Sequence, residues 1–370
     1  MKSLYNKIDT PSLLIDKNIM LKNIIDMQKK ANQLDLNLRP HTKTHKMPKI
    51  SKIQVNKGAS GIAVAKIGEA EVMASYELSD IFIANEIVGE DKLRRVRNLK
   101  EKIDISVGVD SPFHINQLNK IFKEKNMIID VLIEIEVGEK RSGVTNEEKF
   151  IELVELIKKS PYVNLKGIFS HDGHSYGANS VKEIEDIFMK AQKDTLYYAN
   201  IAKKLNYPLE VISIGSTPSF MFDFEILEGI TEIRIGTYVF MDVIQGNIIS
   251  TYDKCAATVL TTIISKPTSE RMVTDAGAKA LTMQGKDSGL GKTSGIGVVK
   301  DAHDIFIEKV YDEHGVINNK EFNSKINIGD KIEVFPNHIC PVVNLYDKAY
   351  LVSDGNIIEE IEISARGKIL

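Results

Sequence analysis

The sequence predicts an α/β protein: a (β/α)8 TIM-type barrel over residues 1–250, followed by an all-β domain over 251–370. Three observations predict it. Eight short strand-like runs alternate with helical runs, which argues for parallel β-sheet, and eight such units in about 240 residues is barrel size. No GxGxxG opens the chain, which weakens the open, doubly wound alternative. From about residue 251 long helices stop, and strand-like runs punctuated by Gly and Asp take over.

Taken in order, Asp9-Thr-Pro-Ser is turn chemistry. Residues 17–35 place Ile19, Met20, Leu21, Ile24, Ile25, Met27 and Leu34 at helical spacing. The eight strand expectations are 36–43, 61–65, 81–84, 103–107, 130–137, 165–171, 209–214 and 231–235. Helices are expected at 67–78, 112–125, 146–158 and 181–205. In the second part, strands are expected at 254–264, 271–276, 304–311, 331–335 and 349–352. His303 reads as a surface or turn residue, the basic stretch 92–102 as a solvated helix face, and the methionines of the helices as core.

Composition bounds the partners. The 48 basic and 51 acidic residues leave a net charge of −3 and give no reason to expect nucleic acid. No apolar run is long enough to span a bilayer, so no membrane partner is expected. The start, MKSLYNKIDTPSLL, lacks an apolar signal core. Cys255 and Cys340 are the two cysteines, too few for a disulfide framework, which makes a cytoplasmic location the default.

Barrels build active sites at the C-terminal ends of their strands. Polar and glycine-rich residues gather at those ends: Arg39-Pro-His-Thr-Lys-Thr-His-Lys46, Gly138-Glu-Lys-Arg-Ser-Gly143, His171-Asp-Gly-His-Ser-Tyr176, Gly215-Ser-Thr-Pro218 and Arg234-Ile-Gly-Thr-Tyr238. The ends after strands 7 and 8 are where barrels commonly bind phosphate. Gly215, Ser216 and Thr217, with a helix start at Pro218, together with Gly236 and Thr237, form a candidate cradle. Plain turn chemistry would explain either segment alone; both at the expected loops favour phosphate. Beside it, Lys43 is a candidate Schiff-base lysine, its amine expected to be depressed by Arg39, His41, His45 and Lys46.

These segments resemble the D-threonine aldolase and D-serine dehydratase group of alanine-racemase-like pyridoxal-phosphate enzymes. The resemblance rests on Arg39–Lys46, Asp9-Thr-Pro-Ser, His171–Tyr176, Gly215–Pro218, Arg234–Phe240, Asp312-Glu-His-Gly315 and Pro336-Asn-His-Ile-Cys-Pro341, in that group's order over nearly the whole chain. It implies that Lys43 holds pyridoxal 5'-phosphate, that Arg141 and Arg234 lie near its ring, and that Tyr176 lies near its face or the substrate. The phosphate would rest on Gly215, Ser216, Thr217, Gly236 and Thr237. Glu136 departs from the Asp often found there in relatives. The resemblance also implies a divalent metal on His338 and Cys340. In an extended segment residues two apart share a face, and a thiolate with an imidazole suits zinc ahead of manganese or magnesium.

The implied activity is a lyase reaction on a small D-3-hydroxy amino acid. The leading expectation is retro-aldol cleavage to glycine and an aldehyde, with His174 as the base. Dehydration to a keto acid and ammonia, with Lys43 as the α-proton base, is the alternative, and an amino-acid racemase the third. The group also implies a homodimer, the commonest closed assembly.

Overall fold

The computed structural model describes residues 6–370. Its first strand, β1 (Ser12–Asp16), runs directly into α1 (Lys17–Gln33), where Asp16 caps the helix by accepting from the Asn18 and Ile19 backbone N–H groups. Helix α1 buries Met20, Ile24, Met27 and Ala31 on one face, the stripe that the sequence periodicity predicts.

The barrel strands are β2 (Asn37–Leu38), β3 (Ile62–Val64), β4 (Asp80–Glu86), β5 (Asp104–Val109), β6 (Ile129–Ile135), β7 (Val163–Ser170), β8 (Val211–Ile214) and β9 (Glu232–Ile233). All pair in parallel in the order β2-β9-β8-β7-β6-β5-β4-β3. A parallel bridge between His41 and Ala63 curls the β3 edge back toward the β2 end. Each of the eight falls where the sequence expected one. The first differs in length. It is assigned only to Leu38, although the Arg39 and His41 N–H groups still reach the Ile233 and Ile235 carbonyls at 2.9 Å, and Thr42–Thr44 then coil into a 3-10 turn.

The connecting helices are α2 (Pro48–Asn56), α3 (Ile67–Ser75), α4 (Glu90–Lys100), α5 (Pro112–Lys123), α6 (Glu147–Lys158) and α7 (Val181–Lys204). Then come the single turn α8 (Thr217–Phe220) and α9 (Val243–Ile249). Helix α2, which opens on Pro48, was not expected from the sequence. Helix α4 pairs Arg94 with Glu90 at 3.0 Å and Arg95 with Glu71 at 2.6 Å, but Arg97 is buried with its guanidinium on Glu124, so the stretch is only in part the solvated face expected. The principal core lies between strands and helices. A smaller apolar layer of Ala63, Phe82, Leu132 and Phe169 plugs the barrel interior.

The second body is a sheet of β10 (Ala257–Ser265), β11 (Arg271–Thr274), β12 (Gly297–Val299), β13 (Ala302–Ile307), β14 (Lys309–Val310), β15 (Gly315–Asn318), β16 (Lys331–Pro336), β17 (Lys348–Ser353) and β18 (Asn356–Glu362). Its path is β13-β12-β16-β10-β1-β17-β18, with β11, β14 and β15 as a side arm. Strand β1 therefore hydrogen-bonds into this sheet, antiparallel to β10 and parallel to β17, although residues 12–16 lie before the 250/251 division drawn from the sequence. Short helices at Ala278–Leu281, Lys320–Lys325 and Ile339–Val343 interrupt the strands, so the second body is not wholly β. Both cysteines are free. Among the described residues, no helix is long and apolar enough to cross a membrane.

Candidate active site

Lys43 sits in the 3-10 turn, whose backbone is capped by His41: the Lys43 N–H donates to His41 Nδ1 at 3.4 Å. Thr42 and Thr44 are buried and anchor the turn, leaving Lys43 to reach into the barrel mouth. Burial lowers the Lys43 pKa, and Arg141 and Arg234 lower it further against the opposing pull of Cys340 and Glu69. Its sequence neighbours do less than expected. Arg39 is spent on Asp80 at 2.6 Å and Glu232 at 2.7 Å, and Lys46 on Glu69 at 2.9 Å. His45 is held neutral by burial, its pKa down to about 4.

Two chambers meet at Lys43. The inner one, about 280 Å³, is lined by Lys43, His41, Arg141, Phe169, His171, Tyr176, Ser216, Thr217, Arg234, Gly236 and Thr237 among others. Arg234 donates to Ser213 Oγ at 2.7 Å and to the Ser170 carbonyl at 3.0 Å, and its guanidinium lies 4.9 Å from the Phe169 ring centroid. Its Nε is buried without a partner, and burial lowers its pKa to about 10. With two of its five N–H groups so used, Nε is among the donors left over. Arg141 stands 3.4 Å from Glu134.

Gly215, at φ +137°, makes the turn into α8, and Ser216 in the cap position is tied by its hydroxyl to Asp172 at 3.0 Å. Gly236 lets two loops close: a Cβ there would lie 2.9 Å from both the His41 carbonyl and Thr44 Oγ1. Tyr176 stands beside Thr217 and Thr237, and burial holds its phenol above the ordinary value, hence neutral. A short helix start, a glycine-lined turn, an orphaned guanidinium donor and a desolvated amine fit a small phosphate-bearing aldehyde.

The outer chamber, about 470 Å³, shares Lys43, His171, Tyr176 and Thr237 with the inner one and adds Glu139, Asp242, Ile244, Gln284, Lys286, His338 and Cys340 among its walls. His338 and Cys340 do not lie in an extended segment, as the sequence reading assumed. His338 caps the helix Ile339–Val343, and Cys340 follows in its first turn. They come together all the same, because the turn of the helix brings the imidazole and thiol into contact. Burial opposes both charges, but each partner outweighs it: the thiol is held below its usual value by the imidazolium, and His338 is raised to about 9 by the thiolate. Cys340 Sγ lies 3.3 Å from Thr44 Oγ1 and 3.7 Å from Thr237 Oγ1. Asp242 fixes this segment to the barrel, accepting from Gln245 N–H at 2.9 Å and Ile339 N–H at 3.1 Å. A thiolate and an imidazole facing a cavity could hold a borderline cation such as zinc. Among the described residues no group of three or more His, Cys, Asp and Glu side chains is set to hold an ion.

The structure brings the sequence-selected residues Lys43, Arg141, Tyr176, Ser216, Thr217, Arg234, Gly236, Thr237, His338 and Cys340 to these two walls, with Gly215 in the turn behind Ser216. His174 lines neither chamber. It packs against Gly138, with its Nδ1 buried, unpartnered and 4.0 Å from Glu139. The histidine on both walls is His171, which the sequence reading quoted without giving it a role. Its position next to the last residue of β7 was the available signal. His171 Nδ1 donates to the Gly215 carbonyl at 2.8 Å, which leaves Nε2 as the acceptor. Burial, with Lys43 nearby, depresses its pKa to about 3, so the ring is neutral. Glu136, where the sequence departs from its group, accepts from the Gly138 and Lys140 N–H groups and shapes the loop carrying Arg141.

Residues 15–243 match the family described as alanine racemase, N-terminal domain, and residues 256–352 match a serine dehydratase domain family. D-threonine aldolase of Arthrobacter sp. is 32% identical over 369 residues, covering 98% of this chain and 93% of that protein. D-serine dehydratase of Dictyostelium discoideum is 29% identical, covering 95% of each. The crystal structure of D-threonine aldolase from Filomicrobium marinum superposes with a TM-score of 0.89 at 28% identity, over 98% of this chain and 96% of that one.

Proposed function

This chain belongs to the alanine-racemase-like family of pyridoxal-phosphate enzymes as a lyase, and from that premise we propose that it cleaves D-3-hydroxy amino acids as D-threonine aldolases do, giving glycine and an aldehyde. The observation that carries the reading is the meeting of Lys43, His171 and the His338–Cys340 pair on the wall of one chamber.

Bound pyridoxal phosphate supplies an electron sink for the substrate α-carbon. Lys43 would hold it covalently, and Arg141 and Arg234 would flank its ring. Gly215, Ser216, Thr217, Gly236 and Thr237 would hold its phosphate, with Tyr176 alongside. His338 and Cys340 would hold a divalent cation, zinc ahead of manganese or magnesium, which would supply Lewis acidity at the substrate hydroxyl. His171, neutral and with Nε2 unused by the backbone, would accept the hydroxyl proton as the Cα–Cβ bond breaks. This replaces His174 as the candidate base.

A second reading, dehydration to a keto acid and ammonia, has its own support. Lys43 lines both chambers with a lowered pKa, as a base for the α-proton would, and a relative named D-serine dehydratase matches along the chain. Racemisation, the third reading, needs no metal. Product analysis with D-threonine and D-serine separates them. Glycine with acetaldehyde is expected; keto acid with ammonia would install the dehydratase, and the L-enantiomer alone a racemase. The reading includes a cytoplasmic homodimer, checked by sedimentation at micromolar concentration, where a monomer would contradict it.

A further inference from the structure

The candidate base and the phosphate cradle follow neighbouring strands, and a buried carboxyl outside both chambers joins them. Asp172 comes directly after His171, is 2% exposed and lines neither chamber. It stands in the cap position of the 3-10 turn Gly173–Gly177, where an aspartate ordinarily accepts from the N–H groups of its own turn. Its side chain makes no such bond. It crosses instead to α8, where Asp172 Oδ2 accepts from the Ser216 hydroxyl at 3.0 Å and from the Ser219 hydroxyl. Ser216 stands in the cap position of α8, and its side chain likewise makes no bond to its own helix. Two residues whose usual task is to cap their own turns are thus spent on each other.

Two further contacts run beside this one. Ser175 Oγ lies 2.9 Å from Ser216 Oγ, and His171 Nδ1 donates to the Gly215 carbonyl at 2.8 Å. Residues 171–175 and 215–219 are therefore laced together on both sides of Asp172. The base rests on the same backbone: an added Cβ at Gly173 would come within 2.7 Å of His171 Nε2, so the imidazole lies directly over the turn that Asp172 opens. Among the described residues Asp172 has no ion pair, and burial raises its pKa against the pull of the two serine hydroxyls. A carboxyl so placed is costly to bury, and an apolar residue would fill the space without that cost.

We propose that Asp172 is a positioning residue, which fixes the candidate base His171 relative to the phosphate cradle so that the two keep one geometry. The inference rests on the lyase reading, which gives His171 and the cradle their tasks. Asp172 touches neither substrate nor cofactor and acts through the loops that do. Displacing a reacting group by about 1 Å can cost on the order of 10²-fold in rate, so a tie of this kind shows in turnover as well as in binding.

The test measures two quantities in the wild type, Asp172→Ala and Asp172→Asn: the dissociation constant for pyridoxal phosphate, by titration of the full chain freed of cofactor, and kcat on D-threonine at saturating cofactor. Asp172→Ala is expected to raise the dissociation constant at least about tenfold and, with the cofactor back at saturation, still to lower kcat at least about tenfold. Asp172→Asn keeps an oxygen that accepts from the serines and should recover most of both. If Asp172→Ala does not fold, Ser219→Ala, which removes one of the two hydroxyls from outside the chambers, should move both quantities the same way by about threefold. Full kcat at saturating cofactor overturns the proposal, because the carboxyl would then serve the cradle alone. Loss of kcat with unchanged cofactor affinity overturns it too, since the base would then move without the cradle. A lower urea midpoint with both quantities unchanged makes Asp172 a staple of the fold and nothing more. An active wild type whose variants keep their kcat removes this inference and leaves the lyase reading standing; a wild type inactive on D-threonine removes the aldolase reading and this inference with it.

Discussion

The inner and outer chambers share Lys43, His171, Tyr176 and Thr237, yet His41, which lines only the inner one, and His338, which lines only the outer one, are pushed in opposite directions. On the inner side, burial, with Lys43, Arg234 and Arg141 nearby, drives His41 well below its ordinary value. On the outer side, His338 is carried to about 9 beside a thiolate. The residue type is the same and the burial similar; the sign of the nearest charge decides. A space ringed by cations suits a phosphate. A space with a thiolate on its wall suits a metal ion.

The sharpest way to break this division is Lys43→Ala. The amine is the only covalent anchor proposed for the inner chamber, so lyase turnover should fall by several orders of magnitude, and the visible absorbance of the purified protein should be lost. Borohydride reduction of the wild type should fix the cofactor on Lys43, and a label on Lys46 instead would sink the assignment. Cys340→Ala should separate the chambers. We expect a loss of about 10²-fold or more in turnover with the visible spectrum intact, since the proposed ion and cofactor would sit on different walls. Loss of the spectrum in that variant would merge the two sites.

A smaller effect concerns acid. Unfolded histidines titrate near 6.5, while buried His45 does so at about 4 and His171 at about 3. Between pH 6.5 and 4 the unfolded chain therefore binds more protons than the native protein, and stability falls as pH is lowered through that window. Each unit of depression is worth about 1.4 kcal/mol. Urea midpoints at pH 7 and pH 5 check this, and equal midpoints would contradict it. The smallest change expected is at Gly236→Ala. The Cβ would press on His41 and Thr44, and a rise of several-fold in the dissociation constant for pyridoxal phosphate, read by titration, is expected with little loss of turnover at saturation.

The barrel was legible because its strands are covered on both faces and read as apolar runs such as Ile81–Ile83 and Val131–Ile133. Glycine turns at strand ends marked Gly215 and Gly236 for a backbone reason visible in the sequence alone. The second body was less legible. Strand β15 is four residues long, and β18 leaves most of its side chains outside the core. Nothing local separates His171 from His174. His171 faces the Gly215 turn and His174 faces Gly138 and Glu139, and which neighbour each meets is a property of the assembled chain. The basic neighbours of Lys43 misled for the same reason: Arg39 and Lys46 are close in sequence but neutralised in space, whereas Arg141 and Arg234 come from distant strands.

Strand β1 carries a consequence for how the protein is made. Leu13 pairs with Val259 on one side and with Ala349 on the other. At ribosomal speeds of about 5–20 residues per second, the second partner emerges roughly tens of seconds after the first strand. Leu13, Leu14 and Ile15, all of them buried in the finished molecule, have both edges unpaired until β10 is made and one edge unpaired until β17 is made. The barrel can close in the meantime, since its ladder excludes β1. A segment made this far ahead of its partners is therefore among the last to be sealed, and its interval of exposure is set by the length of chain between it and β17.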